Sequence, residues 1–450
     1  MLTLDQIAAQ LQGYDPQALK ASDVNEFLSR LVEPVRQTEE IDIFNALGRV
    51  LAEDLISPLN VPPHDNSAMD GFAFAWCQSN LSESATLRVA GTAFAGAAWQ
   101  GRIKPGECLK VMTGAILPAG LNTVVPQEMV EISTQNNTQT ITIPAGILRS
   151  GDNRRLRGED IQVGSAALLK GERLSPAALG LIASLGLAKV TVRRSLQVAY
   201  FSTGDEILSL GEPVREGAVY DSNRYTMFGL LTRMGIEMID LGAVRDDPAT
   251  LEATFLSAAA QADVIITSGG VSVGEADHTK AMMRKLAGSA GGVAFWRIAM
   301  RPGRPMAVGR IAKPQALGSA NAPNATEQAV TNKSAILFGL PGNPVAVMVT
   351  FLAFVRPALL QMMGCRAESQ PYLKALSLET IRKRPGRTEY QRGIVTTAGD
   401  GTVQVRITGS QGSGVLSSMV QANGLIVLHH DQASVAAGDW VDVMMFSGAI

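Results

Sequence analysis

Between residues 196 and 364, short apolar runs alternate with segments of helical length, and this alternation limits the folds open to the chain more than any other feature. The runs are "LQVAYFS", "EMIDLGAV", "DVIIT", "FWRIAM" and "AILFG". Strands that alternate with helices in this way form a parallel sheet covered by helices on both faces. We therefore predict a doubly wound α/β domain over residues 196–364.

Three loops at the carboxyl ends of these strands carry glycines or acids: "FSTGDE", "LGAVRDD" and "TSGGVSVGEADHT". Backbone amides of glycines and side-chain hydroxyls suit a phosphate group, whereas Glu275 and Asp277 would repel it. A divalent cation held by carboxylates and phosphate oxygens together removes this conflict. A glycine-rich connection with solvated acids is the other interpretation, and the stretch alone leaves both open.

The flanking segments predict further domains, as the length of 450 residues suggests. The first 55 or so residues have a helical pattern, with Ser22 as a predicted N-cap, and a second helix is predicted after the N-cap Ser175. Residues 58–155 contain β-prone runs split by glycine and proline, so we interpret them as a β domain inserted into a split N-terminal domain formed by 1–57 and 156–195. Residues 365–450 contain strands in close succession and predict an all-β terminal domain.

Charge and cysteine content exclude several classes of protein. The 39 basic and 41 acidic residues nearly balance, which argues against a general attraction to nucleic acid or to a membrane surface. The three cysteines form no CxxC pair, so neither a zinc knuckle nor a disulfide framework is expected. This cysteine pattern fits a reducing cytosol, and because no apolar stretch approaches the ~18 residues of a membrane span and the N-terminus lacks a signal-peptide pattern, we expect a soluble, cytoplasmic protein.

Nine short segments, taken together and in order, resemble those of the molybdopterin molybdenumtransferase family, which includes the E domain of gephyrin. They are "PHDNSAMDGFA", "VMTGA", "RRLRGEDI", "FSTGDE", "YDSNR", "RDDP", "SGGVSVGEAD", "RPGRP" and "LPGNP". The resemblance spans essentially the whole chain. It implies a homodimer whose subunits have a split first domain, an inserted β domain, an adenylyltransferase-like α/β domain and a C-terminal β-barrel. The implied activity is Mg²⁺-dependent insertion of molybdate into adenylylated molybdopterin, with release of AMP and molybdenum cofactor.

The resemblance also implies the roles of individual residues. It places Glu206, Asp246 and Asp277 beside the metal, and it implies a catalytic set of Asp70, Thr113, Asp160, Glu206, Asp246 and Asp277. Asp70 and Thr113 are expected to complete the site across the dimer interface. For Asp160, a salt-bridged domain junction is an equal alternative. The implied phosphate cradle consists of Thr203, Gly204, Asp205, Ser268, Gly269, Gly270 and Ser272.

A molybdate pocket is implied around Arg301, Arg304, Arg392 and Ser413. The first two lie where relatives carry lysine, and arginine keeps the charge but is bulkier, so selectivity among molybdate, tungstate and sulfate is in question. The polar stretch 313–333 is a second departure and is predicted to be a loop between strands. In "YDSNR" we expect Asp221, Ser222 and Asn223 either to bind substrate or to cap the following helix.

Two other functions remain open from the sequence. The α/β domain could itself adenylylate molybdopterin from ATP, or the protein could be a non-catalytic scaffold as gephyrin is in receptor clustering. The two additional β domains favour molybdate insertion over adenylylation, and the acids of the implied site argue against a pure scaffold. A molybdopterin adenylyltransferase is a candidate partner.

Overall fold

The computed structural model describes residues 2–76, 84–271, 278–287, 292–314, 334–366 and 371–447. The chain divides into two compact units. The larger unit consists of Met1–Glu39, Gly48–Ala52 and Val192–Ile450, and the smaller unit consists of Glu40–Leu47 and Glu53–Thr191.

A six-stranded sheet, here called the central sheet, lies at the centre of the larger unit. Its strands are, in spatial order, Glu237–Val244, Gln197–Thr203, Val264–Ser268, Ser334–Leu340, Pro305–Ala312 and Val293–Arg297. The first four are parallel, as predicted, but Pro305–Ala312 is antiparallel to both of its neighbours. The sheet is therefore mixed. Val293–Arg297 and Pro305–Ala312 are separated along the chain by residues 298–304 only, and such a short connection can join antiparallel neighbours but not parallel ones.

Helices cover both faces of the central sheet, which confirms the predicted doubly wound arrangement. Val198 and Tyr200 belong to one hydrophobic cluster, whereas Ala199 and Phe201 belong to another, so successive residues of a strand are buried on opposite faces. The helices of the larger unit are Leu4–Gln10, Ala21–Leu31, Ser222–Arg233, Pro248–Gln261, His278–Ala287, Pro344–Met362 and Ser417–Gln421. Two short strands of the larger unit, Ile207–Leu208 and Val219–Tyr220, pair with each other in parallel.

The helical run Pro344–Met362 includes a π-helical turn at Phe351–Val355. By length and composition it could cross a membrane, and it is the one such helix in the described part of the chain. However, 72% of its apolar window is buried, and its side chains belong to the cluster that packs beneath the central sheet. Its apolar sequence is therefore accounted for by its place in the core.

The first 39 residues pack with the α/β region. Phe27 lies edge-on to Trp296 with ring centroids 4.9 Å apart, and the Trp296 indole donates to the Tyr14 hydroxyl at 2.9 Å. The helix Ala21–Leu31 begins after Lys20, so Ser22 lies inside the helix and is not its N-cap. The predicted domain boundaries, including the split N-terminal domain of 1–57 and 156–195, stay predictions.

The smaller unit is built on a second six-stranded sheet. Its strands are, in spatial order, Thr123–Pro126, Gly71–Phe74, Glu107–Val111, Ala85–Ala93, Thr138–Ile143 and Glu131–Gln135. The helix Pro176–Ser184 begins as predicted, because the Ser175 hydroxyl accepts from the Ala178 amide at 3.2 Å. The remaining short elements of the N-terminal half are Thr38–Asp42, Ile43–Asn45, Leu55–Ile56, Asn66–Ser67, Gln127–Met129, Arg154–Arg155, Ala166–Leu168 and Lys189–Arg193.

Five strands after residue 372 close into a barrel, as expected for the terminal domain. They are Leu373–Ser377, Thr388–Thr397, Val403–Ile407, Gly424–Leu428 and Trp440–Met445. Closure occurs because Thr388–Thr397 pairs with both Val403–Ile407 and Gly424–Leu428. A two-residue strand, Met300–Arg301, adds in parallel to the same strand and fixes the "RPGRP" turn on the barrel. Residues 315–333 of the predicted loop lie outside the described residues.

Candidate functional site

The order of strands in the central sheet produces a switch point between Gln197–Thr203 and Val264–Ser268, because the chain leaves these neighbours toward opposite edges of the sheet. Ligands bind doubly wound sheets at such points, beyond the carboxyl ends of the strands. A cavity of about 700 Å³, here called the main cavity, lies at this position. Predicted site residues in its wall are Thr203, Gly204, Glu206, Asp246, Gly269, Gly270, Arg301 and Ser413.

The turn after Val264–Ser268 depends on glycine at both of its central positions. Gly269 and Gly270 have φ angles of +89° and +63°, a region that L-residues with side chains rarely adopt. A Cβ atom on Gly269 would overlap the carbonyl oxygen of Thr203, and one on Gly270 would overlap the side chain of Thr279. The turn therefore packs directly against its neighbours and presents only backbone to the main cavity, as close approach by a phosphate requires.

Ser268 lies behind this turn rather than in the wall of the main cavity. It is 2% exposed, and its hydroxyl lies 2.7 Å from the Tyr200 hydroxyl and 3.5 Å from the Asn223 amide nitrogen. Burial raises the pKa of Tyr200, so its phenol stays protonated and available for hydrogen bonding. The Ser268 hydroxyl is thus engaged within the protein, and the backbone of Gly269 is what the turn offers to a ligand.

The "YDSNR" stretch has one of its two expected roles, capping of the following helix, whereas substrate binding by it stays a prediction. Asp221 caps the helix Ser222–Arg233, because its carboxylate accepts from the Arg224 amide at 3.1 Å. The Asn223 amide instead donates to the carbonyl oxygen of Gly342, at 2.8 Å, in the wall of the main cavity. Asn223 therefore connects this helix to the loop after Ser334–Leu340.

Two carboxylates, Glu206 and Asp246, reach the main cavity from separate loops. Asp246 is half-buried, and its Oδ1 accepts from the Thr279 hydroxyl at 3.1 Å. Asp205 is exposed, and its carbonyl oxygen accepts from Arg215. The predicted residues Ser272 and Asp277, and Glu275 beside them, lie outside the described residues.

Glu206 and Asp246 suit a Mg²⁺ ion that is shared with a substrate. Within the described ranges, no group of three or more His, Cys, Asp or Glu side chains is arranged to hold a metal. Mg²⁺ is usually bound by one or two carboxylates together with substrate phosphates and water, rather than by a cage made only of protein groups. The two carboxylates beside the glycine turn therefore fit Mg²⁺ on a phosphate-bearing ligand.

Positive charge lies on the opposite side, where the "RPGRP" turn meets the barrel. Arg301 lines both the main cavity and a neighbouring cavity of about 70 Å³, which Arg382, Arg392 and Gln411 also line. Within the described part of the chain, neither Arg301 nor Arg382 forms an ion pair. Arg304 is exposed and lines neither of these two cavities among the residues described.

Arg392 is 1% exposed and holds the barrel loop in place. Its Nε donates to Ser418 Oγ at 3.0 Å, and its Nη2 donates to the carbonyl oxygens of Ser410 and Gly412 at 3.2 and 2.9 Å. Its Nη1 has no hydrogen bond with any described residue, so two N–H groups stay available to the smaller cavity. Burial, and then the positive charge of Arg301, lowers the pKa of Arg392.

Asp70 and Thr113 contact each other in the smaller unit, where both are exposed. Asp70 Oδ1 accepts from the backbone nitrogen and the hydroxyl of Thr113, each at 2.7 Å. These two hydrogen bonds, the backbone one first, lower the pKa of Asp70. Asp160 is also exposed, and its amide donates to the Val61 carbonyl at 3.1 Å.

Sequence reasoning did not single out Tyr200 or Thr279, both of which are fully buried and contact predicted site residues. A signal was available for Tyr200, since a hydroxyl inside the apolar run "VAYF" needs a hydrogen-bond partner in the core. For Thr279 the sequence has no such signal, because Asp246 lies 33 residues away.

Comparison with protein families gives three matches that follow one another along the chain. Residues 19–186 match the "MoeA N-terminal region (domain I and II)", residues 199–361 match a "probable molybdopterin binding domain", and residues 374–446 match the "MoeA C-terminal region (domain IV)".

Full-length proteins resemble the chain throughout. It is 39% identical over 448 residues to the molybdopterin molybdenumtransferase of Haemophilus influenzae, and the match covers 99% of each chain. It is 33% identical over 414 residues to the molybdopterin molybdenumtransferase of Nostoc sp., covering 91% of this chain and 89% of the other. A crystal structure of the molybdopterin biosynthesis moeA protein from Pyrococcus horikoshii OT3 superposes with a TM-score of 0.75 at 25% identity, covering 95% of this chain and all of that one.

Proposed function

Because the chain belongs to the MoeA family of molybdopterin molybdenumtransferases, we propose that its main cavity is where molybdate is inserted into adenylylated molybdopterin. The chain is a transferase of molybdenum cofactor biosynthesis. The observation that carries the proposed site is one cavity with Glu206 and Asp246 in its wall, Gly269 at its floor and Arg301 at its border with the barrel.

The phosphates of the adenylate are proposed to lie on the turn formed by Gly269 and Gly270. Both residues line the main cavity, and the absence of a Cβ atom lets the backbone approach an anion closely. Thr203 is 4% exposed, lines the same cavity, and its hydroxyl has no hydrogen-bond partner among the described residues, so it can donate to a phosphate oxygen. These contacts orient the adenylate with its phosphates against the central sheet.

Mg²⁺ is proposed to be held by Glu206 and Asp246, with Asp277 as a further ligand, and by the phosphate oxygens of the adenylate. When bound, Mg²⁺ neutralises charge on the phosphates and favours release of AMP. The two described carboxylates bring negative charge to a place where a dianionic phosphate also has to lie, and a cation offsets their mutual repulsion.

Molybdate is proposed to bind between Arg301 and Arg392, in the smaller cavity. A cavity of about 70 Å³ exceeds the roughly 10–15 Å³ that one water molecule needs, so it has room for one small tetrahedral anion. Arg301 has no ion pair within the described ranges, and Arg392 has a free Nη1, so both can donate to an oxyanion. Arg382 adds a third guanidinium to the same wall, where the carboxylate of Glu389 is neutralised by its ion pair with Arg387. Arg304 does not line this cavity.

The dimer is part of the proposal as well. We propose that Asp70 and Thr113 of one protomer complete the site of the other, and that Asp160 is either a further acid needed for activity or part of a salt-bridged domain junction. Mixing inactive Asp70→Ala subunits with inactive Asp277→Ala subunits should then restore part of the activity through hybrid dimers. A mixture as inactive as either parent, with subunit exchange demonstrated by mass spectrometry, would argue against a shared site. We further propose a cytoplasmic location and a molybdopterin adenylyltransferase as the donor of the adenylate.

The direct test is AMP release from adenylylated molybdopterin by the purified protein, with Mg²⁺ and molybdate added. Glu206→Gln and Asp246→Asn should raise the Mg²⁺ requirement strongly, because an amide has no charge to attract the ion. Glu216→Gln is the matched control, an exposed acid in the segment after Glu206. Release of AMP that needs neither Mg²⁺ nor molybdate would contradict the proposal, and adenylylation of free molybdopterin from ATP would support the alternative activity.

A further inference from the structure

Thr279 contacts both halves of the proposed phosphate and metal site. It is fully buried in the first turn of the helix His278–Ala287. Its hydroxyl donates to Asp246 Oδ1 at 3.1 Å, and its side chain fills the space that a Cβ atom on Gly270 would occupy. One side chain therefore touches the carboxylate that faces the metal and the turn that faces the phosphates.

The packing of the helix His278–Ala287 holds Thr279 in a fixed position. Thr279, Met282 and Met283 lie on its buried face, and the two methionines belong to the hydrophobic cluster on that side of the central sheet. Because packing holds this face, the Thr279 hydroxyl has little freedom relative to the loops that it contacts. The hydrogen bond from Thr279 thus ties the Asp246 loop to a helix that is distant from it in sequence.

The hydrogen bond also distinguishes the two oxygens of Asp246. Oδ1 accepts from Thr279, whereas Oδ2 has no hydrogen bond with a described residue. A hydrogen bond to one carboxylate oxygen orients the other, and hydrogen bonds of this kind behind metal ligands are worth about 10- to 100-fold in metal affinity.

We infer that Thr279 is a positioning residue, which sets the orientation of Asp246 toward the metal and its separation from the Gly270 turn. This inference rests on the proposed placement of Mg²⁺ at Asp246. The Cβ, the methyl group and the hydroxyl of Thr279 all pack on the Gly270 turn, whereas the hydroxyl alone binds the carboxylate. The effect of the hydrogen bond can therefore be separated from the effect of the packing.

Two conservative substitutions separate these effects. Thr279→Val keeps the shape that packs on Gly270 and removes the hydroxyl, whereas Thr279→Ser keeps the hydroxyl and removes the methyl group. Thr254→Val is the matched control, since its hydroxyl donates only to the Thr250 carbonyl within the helix Pro248–Gln261. If Thr279→Val fails to fold, Thr279→Ala removes the same hydroxyl without adding a second methyl group.

Metal binding is read directly with Mn²⁺, which shares the preference of Mg²⁺ for oxygen ligands. Mn²⁺ is titrated into the full-length protein with adenylylated molybdopterin present, and free Mn²⁺ is followed by its electron paramagnetic resonance signal. Thr279→Val should weaken Mn²⁺ binding by about tenfold or more. Thr279→Ser and Thr254→Val should stay within about threefold of the wild-type protein.

The outcomes separate this inference from the proposed function. Wild-type protein that binds no Mn²⁺ in the presence of the adenylate overturns the metal placement and, with it, the role of Thr279. Wild-type binding together with unchanged binding by Thr279→Val, or by Thr279→Ala, overturns the role of Thr279 alone. Equal losses in the Val and Ser variants would also overturn it, because a hydroxyl that orients Asp246 is present in one and absent from the other.

Discussion

Replacing Gly269 by alanine should damage both the stability of the larger unit and the binding of the adenylate. The φ angle of +89° costs an alanine roughly 1–2 kcal/mol. The new Cβ atom also overlaps the backbone oxygen of Thr203, which cannot rotate away as a flexible side chain could, and overpacking of this kind costs typically 1–3 kcal/mol. The two effects together predict a loss of about 2–5 kcal/mol in the free energy of unfolding.

Gly401→Ala is the control for the backbone contribution alone. Gly401 lies in the larger unit with a φ angle of +86°, and a Cβ atom there would meet nothing within 4 Å. Gly342→Ala is the control for a cavity position, since its φ angle is ordinary and its Cβ atom would lie 3.8 Å from Gly269 Cα.

Calorimetry gives the unfolding transition of each variant, and titration with adenylylated molybdopterin at a temperature where all variants are folded gives the affinity. The shift for Gly269→Ala should be at least twice that for Gly401→Ala, and only Gly269→Ala should lose tenfold or more in affinity. Equal shifts in the two variants, with affinity unchanged, would refute the packing argument for the turn. A large loss of affinity in Gly401→Ala would refute the placement of the site.

Three further predictions concern other parts of the structure. Tyr200→Phe should lower stability by about 1–3 kcal/mol, because two buried serine hydroxyls each lose one hydrogen bond, and should raise KM for the adenylate, whereas Tyr14→Phe should lower stability only. Thr113→Val removes one of the two hydrogen bonds to Asp70 and keeps the backbone one, so the pKa of Asp70 should rise part of the way to its ordinary value, which carbon-13 carboxyl titration of wild type and variant measures. The lowered pKa of Asp70 stabilises the folded protein above the ordinary pKa, and this stabilisation is lost as the pH falls through the folded-state pKa. Arg392→Lys keeps the charge but loses the three hydrogen bonds to the barrel loop, so the molybdate concentration for half-maximal AMP release should rise; an unchanged requirement would remove this residue from the pocket.

The parts of the fold that were predictable from sequence are those set by local patterns. Apolar runs of five to eight residues predict strands, and the spacing between them predicts helices, so an α/β domain and an all-β terminal domain were expected, whereas its closure into a barrel was implied by the family resemblance alone. The strand Pro305–Ala312 was not among the predicted runs, and its place in the sheet is set by pairing with two neighbours and not by its own sequence. The packing of the first helices on the α/β region was missed for the same reason, since an amphipathic helix shows that a face is buried but not against which partner.

The candidate site, like the fold, was only partly predictable from the sequence. Glycines and acids in loops after strands indicated the edge of the sheet at which a ligand would bind, and Gly269, Asp246 and Glu206 do lie around one cavity. The direction of a side chain at the end of a buried strand was not predictable, because every residue of Val264–Ser268 is buried and the sequence does not show which face Ser268 occupies. The resemblance of "RPGRP" to the family motif implied both Arg301 and Arg304, but of these two only Arg301 lines the two described cavities.

The chain passes from the larger unit to the smaller one and back twice, so the smaller unit lies between two parts of the larger one in sequence. During synthesis, residues 53–191 can therefore complete their own sheet while the first 39 residues still lack the strands on which they pack. Those early residues carry apolar side chains such as Phe27, whose neighbour Trp296 is translated about 270 residues later. At roughly 5–20 residues per second, the apolar face of the helix Ala21–Leu31 therefore stays uncovered for on the order of ten seconds or more during synthesis. We expect a chaperone to bind the nascent chain at this face.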